Sequence, residues 1–338
     1  MDAQTLETTA RAMVAPNKGI LAADESTATI GKRFSEFGIE STPETRRAYR
    51  DMLFGTPGLG ENVSGVILYD ETIRQSALDG TPFPELLEHA GMIPGIKVDT
   101  GAKPLALHPD EKVTEGLDGL RERVGEYVRM GARFAKWRAV ITIGEGIPTR
   151  ACLVANAHAL ARYAAICQEG GLVPIVEPEV LMDADNSIER CEEVTEATLG
   201  TVFDELHGQD ILLEGIVLKP NMVVPGKRSP RQASVKEVAV ATLRVLRRIV
   251  PPAVPGIAFL SGGQSAEVAT EHLNAMNAIG GVPWELTFSY GRALQDPALK
   301  AWRGDPSKVE AGRQQLALRA RNNGAARSAG YTPAMEAA

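Results

Sequence analysis

The sequence predicts an α/β protein built as a single-domain (β/α)8 TIM barrel, on three observations. Eight short apolar segments, most of which end in polar residues, are separated by segments of helical periodicity. Nearly continuous apolar strands that alternate with helices are typical of a parallel sheet buried on both faces, and eight such units fit a closed barrel. The 338 residues, 44% of them hydrophobic, suffice for one large core, and no linker is evident within 1–338.

The predicted strands carry polar residues at their carboxyl ends. In a barrel these ends converge on one mouth, where barrel enzymes place their chemistry. The strands are predicted at 19–24, 65–70, 94–99, 133–140, 172–177, 215–221, 256–261 and 284–290. The polar residues at or just beyond their ends are Asp24, Lys97, Lys136, Arg138, Glu177, Glu179, Lys219, Ser261 and Ser289. The mouth is therefore expected to combine amines, carboxylates and anion-binding groups.

The segments between the strands have recognisable helix signals. Thr42, followed by proline and glutamate, is typical of a helix start. Apolar residues repeat every four positions from Leu120 until Gly131, which suits a helix stop. Residues 235–250 form an amphipathic segment that two prolines end. The tail 322–338 is rich in small residues and is predicted to be mobile beyond the preceding helix.

Composition excludes several classes of protein. The formal net charge of -7 argues against a nucleic-acid binder and a polybasic membrane protein. No apolar stretch reaches membrane-spanning length, and the first residues lack the layout of a signal peptide. The three cysteines form no Cys-x-x-Cys pair and the five histidines lack metal-ligand spacing. We therefore expect a cytoplasmic protein with reduced thiols, no metal and no cofactor.

Three lysines stand at or near strand ends, which is unusual for a residue that is costly to bury. Taken singly, Lys97, Lys136 and Lys219 are each more simply explained by a side chain that reaches a surface ion pair. Taken together they favour chemistry, because a Schiff-base site requires a lysine amine at the end of an apolar strand.

Seven ordered motifs identify a family that the chain resembles. They lie at 19–26 (GILAADES), 95–99 (GIKVD), 134–138 (FAKWR), 173–179 (VPIVEPE), 218–222 (LKPNM), 259–264 (FLSGGQ) and 288–292 (FSYGR). With them the chain resembles the class I, Schiff-base fructose-bisphosphate aldolases from about residue 10 to 333. The resemblance implies reversible cleavage of fructose 1,6-bisphosphate to dihydroxyacetone phosphate and glyceraldehyde 3-phosphate, in glycolysis and gluconeogenesis, by a metal-independent homotetramer.

The resemblance also implies catalytic roles. Lys219 would form the iminium with the substrate ketone, and Lys136 would be the neighbouring cation that favours its free amine. Glu177 would protonate the hydroxyl that leaves the carbinolamine, a role compatible with a buried lysine partner. Asp24 would deprotonate the carbon 4 hydroxyl; its simpler reading is a cap of the following turn.

The two phosphates require separate anion sites. The residues that resemble the family's 1-phosphate site are Ser261, Gly262, Gly263, Gly291 and Arg292, although a Gly-Gly pair is more commonly a tight turn. Those that resemble the 6-phosphate side are Ser26, Thr29, Lys97 and Arg138, with Arg33 available to either anion and Ser289 lining the mouth. Thr29 and Thr100 stand where serine and lysine are common in the family, which would alter phosphate affinity modestly.

One departure from the family concerns proton transfer. Well-studied animal members end in a tyrosine that assists proton exchange on the enamine, whereas the last tyrosine here is Tyr331. Enamine protonation is therefore assigned to Glu177, to another carboxylate such as Glu179, or to water. Two alternative functions remain at this point: an aldolase that prefers fructose 1-phosphate or sedoheptulose 1,7-bisphosphate, and a binding or scaffold protein on the same barrel.

Overall fold

Eight parallel strands close into a barrel in this computed structural model of the protein, which describes residues 2–337. The barrel strands are β1 (Gly19–Ala22), β2 (Val63–Leu68), β3 (Ile93–Lys97), β6 (Phe134–Ile141), β7 (Val173–Val180), β8 (Val217–Leu218), β9 (Gly256–Phe259) and β10 (Glu285–Tyr290). An antiparallel hairpin of β4 (Gly101–Pro104) and β5 (Lys112–Glu115), which was not predicted, is inserted after β3. The predicted (β/α)8 TIM barrel is confirmed.

Helices follow the strands and cover the outside of the barrel. They are α1 (Ala3–Met13), α2 (Thr27–Ser35), α3 (Pro43–Phe54), α4 (Asp70–Ile73), α5 (Phe83–His89), α6 (Leu120–Arg129), α7 (Arg150–Glu169), α8 (Ile188–Gly208), α9 (Val235–Ile249), α10 (Ala266–Ile279), α11 (Arg292–Trp302) and α12 (Val309–Arg327). Thr42 caps α3 through a reciprocal bond pair with Thr45, and Ser234 caps α9 in the same way. The helix signals predicted from the sequence are thus confirmed.

Two apolar clusters form the core. The larger one lies between the strands and the surrounding helices. The smaller one fills the barrel interior with alternate strand residues such as Ile20 and Ile175, and α1 closes its lower end with Leu6, Ala10 and Met13. The lower part of the barrel interior is therefore filled by apolar side chains. The opposite end, at the carboxyl termini of the strands, is where barrel enzymes place their active sites.

The ring of Phe134 inside the barrel requires glycine on two neighbouring strands. A Cβ atom on Gly95 would lie 2.2 Å from the Phe134 ring, and one on Gly65 would lie 3.0 Å from it. Real Cβ atoms do not approach a ring within 2.2 Å, so the ring occupies the space that a side chain at Gly95 would need. These glycines make room for the largest apolar side chain of the interior cluster.

The segment from 322 onward packs against the barrel in this structure. Asn322 is fully buried in the last turns of α12, and a 3-10 turn covers Pro333–Ala337. Within it Glu336 forms an ion pair with buried Arg319 and accepts a hydrogen bond of 2.8 Å from the Tyr331 hydroxyl. Mobility of this segment stays a prediction, and Ala338 lies outside the described residues.

The packing of Phe134 against Gly95 predicts a strong effect of one methyl group. We expect Gly95→Ala to lower the free energy of unfolding by roughly 1–3 kcal/mol, because the methyl group forces the ring or the strands apart. Gly125→Ala, in the middle of α6, adds a Cβ atom whose nearest neighbour is the Arg129 side chain at an ordinary contact distance of 3.6 Å, so it should leave stability unchanged or raise it by up to about 1 kcal/mol. Urea unfolding of both variants measures this, and equal effects would contradict the packing account.

Candidate active site

A cavity of about 410 Å³ opens at the carboxyl ends of the strands. Its walls contain every residue that the sequence predicted for the site, with the exception of Gly263, which lies beside Arg292 next to it. The predicted residues that line it are Asp24, Ser26, Thr29, Arg33, Lys97, Lys136, Arg138, Glu177, Glu179, Lys219, Ser261, Gly262, Ser289, Gly291 and Arg292. Strands distant in the sequence therefore bring one set of polar groups together.

A chain of ion pairs crosses the centre of this cavity. Lys219 Nζ lies 3.2 Å from Glu177 Oε1, and Glu177 Oε2 lies 3.4 Å from Lys136 Nζ. Lys136 Nζ also lies 2.6 Å from Asp24 Oδ2. Three of the four side chains are only 4% exposed, and that of Asp24 is 13% exposed. The two amines are thus separated by a carboxylate that both contact.

Burial and charge act in opposite directions on these groups. Burial alone would raise the pKa of Asp24, but the positive charges of Lys136, Lys219 and Lys97 hold it well below its usual value. Burial alone would lower the pKa of Lys136, but Asp24, Glu177 and Asp99 raise it above its usual value. Asp24 is therefore ionised and Lys136 protonated across the physiological range. Asp24 is an ion-pair partner, and not the cap of the following turn.

A second layer of charge holds the end of β1 in place. Glu25, which follows Asp24, binds Arg33 at 2.6 Å and Arg50 at 2.6 Å. The Gln295 amide nitrogen donates to the same carboxylate at 2.8 Å and to the Ala22 carbonyl at 2.6 Å. Burial raises the pKa of Glu25, yet the two arginines outweigh this and lower it. The backbone at Asp24 is thus fixed by a buried network from α2, α3 and α11.

The side of the mouth predicted to bind the 6-phosphate contains two cations, each already paired. Lys97 Nζ lies 3.4 Å from Asp99, and the Arg138 guanidinium binds Glu179. Ser26 caps α2 by accepting the Thr29 N–H at 3.3 Å, and the two hydroxyls are 3.0 Å apart. This side therefore offers two cations, two hydroxyls and the amino end of a helix.

The side predicted to bind the 1-phosphate is formed by a glycine turn and an arginine. Gly262 and Gly263 both have positive φ values, 57° and 88°, which glycine adopts without strain. A Cβ atom on Gly263 would lie 3.0 Å from a terminal nitrogen of Arg292, so the guanidinium lies directly against the turn. Arg33 approaches from the other side, with its guanidinium 3.9 Å from the Cβ position of Gly291.

Sequence reasoning missed four residues of this site. Glu25, Asp99 and Tyr69 line the cavity, and Lys227 approaches Gly263 from outside it. Glu25 and Asp99 had a usable signal, because each lies in a motif that was already singled out. Tyr69 also had a signal, because it lies at the carboxyl end of the strand predicted at 65–70. Lys227 had none, because it stands in a loop whose position depends on the closed barrel.

Two findings concern other kinds of site. Among residues 2–337 no group of three or more His, Cys, Asp or Glu side chains is arranged to hold a metal ion. Within the same range no helix is long and apolar enough to cross a membrane.

A closed parallel barrel with buried lysines and paired carboxylates at the carboxyl ends of its strands has the architecture of a barrel enzyme. A family model described as "Fructose-bisphosphate aldolase class-I" matches residues 5–338. The chain belongs to this family.

Relatives and a solved structure agree with this assignment. A "Probable fructose-bisphosphate aldolase class 1" of Xanthomonas campestris is 59% identical over 327 residues, 96% of this chain and 98% of the relative. "Fructose-bisphosphate aldolase 5, cytosolic" of Arabidopsis thaliana is 52% identical over 98% of this chain and 92% of its own length. The Plasmodium falciparum aldolase, solved with TRAP and a small-molecule inhibitor, has a TM-score of 0.96 at 51% identity and covers 98% of this chain and 96% of its own.

Removal of the Lys136 charge should weaken the fold and alter its pH dependence. We expect Lys136→Met to lower the free energy of unfolding at pH 7 by about 3 kcal/mol, because Asp24 loses its nearest cation. In the wild type the folded pKa of Asp24 is lowered, so its contribution to stability is present above the unfolded pKa of about 3.9 and is lost as the pH falls through the folded pKa.

In the variant the contribution of Asp24 should be smaller, so the free energy of unfolding should decrease less steeply at acid pH. This acid part of the plot of unfolding free energy against pH is the acid branch. Urea unfolding from about pH 2 to pH 7 measures both effects, because the Asp24 contribution is lost below the unfolded pKa. Lys32→Met, at an exposed lysine on α2, is the control and should shift stability by less than about 0.5 kcal/mol. A Lys136→Met protein as stable as the control, or with an unchanged acid branch, would contradict the account.

Proposed function

We propose that the protein cleaves fructose 1,6-bisphosphate reversibly to dihydroxyacetone phosphate and glyceraldehyde 3-phosphate, through a Schiff base on Lys219. The observation that carries this proposal is the buried chain of Lys219, Glu177, Lys136 and Asp24, which supplies an amine, proton carriers and a fixed charge in one cavity. Family membership and the names of the relatives support the same reaction and a place in glycolysis, and reversibility of the reaction would also allow a place in gluconeogenesis.

Formation of the iminium uses Lys219 and Glu177. The free amine of Lys219 attacks carbon 2 of the open-chain sugar, and the resulting carbinolamine loses its hydroxyl as water. Glu177, 3.2 Å from Lys219 Nζ, is placed to give the leaving hydroxyl its proton. Lys136, on the other side of Glu177, is a fixed positive charge beside the reacting groups and contacts both Glu177 and Asp24.

Cleavage uses Asp24 and the iminium together. Asp24 takes the proton of the carbon 4 hydroxyl, the bond between carbons 3 and 4 breaks, and its electron pair moves to the iminium to give an enamine. Glyceraldehyde 3-phosphate leaves as the aldehyde. Protonation of the enamine at carbon 3 and hydrolysis of the iminium then release dihydroxyacetone phosphate and the free Lys219. The ion pair with Lys136 keeps Asp24 ionised for this step.

The two phosphates fit the two ends of the mouth. The turn of Ser261 and Gly262 with Arg292 suits the 1-phosphate, because backbone N–H groups and a guanidinium bind a phosphate dianion together. Lys97 and Arg138 suit the 6-phosphate. Two separated anion sites favour a bisphosphate over a monophosphate. Initial rates with fructose 1-phosphate and with sedoheptulose 1,7-bisphosphate, measured against the rate with fructose 1,6-bisphosphate, test the two alternative substrates.

Borohydride trapping tests the Schiff base directly. We expect reduction in the presence of dihydroxyacetone phosphate and excess EDTA to leave a substrate adduct on Lys219, located by peptide mass measurement. Lys219→Met should give no adduct and lose at least about a thousandfold in kcat. Lys219→Arg, which keeps the charge without a nucleophilic amine, should behave in the same way. An active enzyme without an adduct, or one that EDTA inactivates, would overturn this mechanism.

Proton exchange on the enamine should not depend on Tyr331. Its hydroxyl donates to Glu336, its backbone N–H donates to Asn274, and the residue is 5% exposed. We expect Tyr331→Phe to exchange the carbon 3 hydrogen of dihydroxyacetone phosphate with deuterated water within about twofold of the wild-type rate, as followed by NMR.

The comparison variants are Glu177→Gln and Glu179→Gln, since both carboxylates line the cavity. Glu177 also acts in iminium formation, so slower exchange identifies the proton carrier only where the yield of the borohydride adduct is unchanged. Under that condition, substitution of the carboxylate that carries the proton should slow exchange by about tenfold or more, a usual range for general acid–base catalysis. Unchanged exchange in both would assign the step to water, and a tenfold loss in Tyr331→Phe would contradict the prediction.

Assembly and location follow from the resemblance alone. We propose a cytoplasmic homotetramer that acts on a small phosphosugar and binds neither nucleic acid nor membranes. Size-exclusion chromatography with light scattering measures the mass of the assembly.

A further inference from the structure

The loops after β7 and β8 are joined at the edge of the mouth. Backbone N–H groups of Gly226, Lys227 and Arg228 donate to the carbonyls of Asn186, Met182 and Ala184 at 2.9, 2.7 and 3.0 Å. A Cβ atom on Gly226 would lie 2.2 Å from the Ala184 carbonyl oxygen, so only glycine permits this approach. The backbone of Lys227 is therefore held in place by its neighbouring loop, although its side chain is 39% exposed.

The side chain of Lys227 points to the glycine turn. Its Nζ lies 2.8 Å from the position that a Cβ atom on Gly263 would take, and a terminal nitrogen of Arg292 lies 3.0 Å from the same position. Two cations thus converge on one point beside a turn with positive φ values at Gly262 and Gly263. Like charges that converge on one point repel, and an anion bound at that point would compensate both, whereas Asp183 pairs with Lys227 alone.

The resting partner of Lys227 is a weak one. Asp183 Oδ1 lies 2.7 Å from Lys227 Nζ, and the Asp183 side chain is 62% exposed. Exposed pairs of this kind contribute little to stability, since water screens both charges. A phosphate dianion that Arg292 and the backbone also bind is a stronger partner for the same ammonium.

We propose that Lys227 is a further binding residue for the substrate phosphate at the Ser261–Gly263 turn, and that Asp183 is the partner it leaves when that phosphate binds. This inference rests on the proposed function, because it names the same bisphosphate. It assigns Lys227 to affinity and not to the chemical step, since Lys227 does not line the cavity that holds Lys219 and Glu177.

Binding of a substrate analogue that cannot react tests the inference separately from catalysis. A hexitol 1,6-bisphosphate has both phosphates but no carbonyl, so titration calorimetry measures its affinity without a Schiff base. We expect Lys227→Met to weaken this binding about five- to tenfold, and Asp183→Asn to strengthen it about two- to threefold because the competing carboxylate is gone. Lys236→Met, at an exposed lysine on α9, is the charge-matched control and should change nothing.

Kinetics identify which phosphate is involved. Lys227→Met should raise KM for fructose 1,6-bisphosphate and for fructose 1-phosphate by the same factor, with kcat within about twofold of the wild type. An effect on the bisphosphate alone would place Lys227 at the other phosphate and overturn the assignment. Lys227→Met binding equal to that of Lys236→Met, or weaker binding in Asp183→Asn, would also overturn it. If the wild type gives no borohydride adduct on Lys219 while the variants still differ in their calorimetric affinities, the proposed function is refuted and the binding role of Lys227 stands.

Discussion

The buried ammonium of Lys136 is the group on which the arrangement of the mouth depends. A charge that is 4% exposed is tolerated only when carboxylates approach it closely, and these come from Asp24 after β1 and Glu177 on β7. Strands β6 and β7 are neighbours in the sheet, whereas β1 is separated from β6 by β3 and β2, so the curvature of the closed barrel is what brings Asp24 to the other two groups. Because buried Lys136 needs these carboxylates close to it, the alignment of β1, β6 and β7 is constrained. The same alignment places Lys219 beside Glu177.

The layer behind the mouth makes this cluster rigid. Glu25 is directed away from Asp24 toward Arg33, Arg50 and Gln295, so adjacent carboxylates in the chain bind different cations. Each carboxylate in these layers is therefore balanced by positive charge from another element. Below the cluster the interior is apolar and filled, which excludes water from the lower face and strengthens the electrostatic interactions above it.

The sequence was sufficient for the barrel and for most of the mouth, for a physical reason. Barrel strands are buried on both faces, so each reads as an apolar run, and the polar residue that follows marks the mouth. Lys97, Lys136, Lys219 and Glu177 were found in this way. The hairpin of β4 and β5 and the position of Lys227 were not, because both belong to loops. The conformation of a loop depends on neighbours such as the Ala184 carbonyl, and neither periodicity nor composition reveals that contact.

The protein has a net charge of -7, yet its mouth contains many cations. The two facts are compatible because most of these cations form ion pairs with carboxylates. Arg33 binds a buried carboxylate that Arg50 also holds, so it is fixed and defines the shape of the site. Lys97 and Arg138, at 17% and 43% exposure, each pair with one carboxylate at the cavity wall, where the proposed 6-phosphate would compete for them. Arg292 forms no ion pair with any residue in 2–337, so its full charge is directed at the glycine turn. Under the proposed function the phosphates of the substrate compete with these carboxylates for the same cations, so an acidic protein needs only a few local charges to attract a bisphosphate.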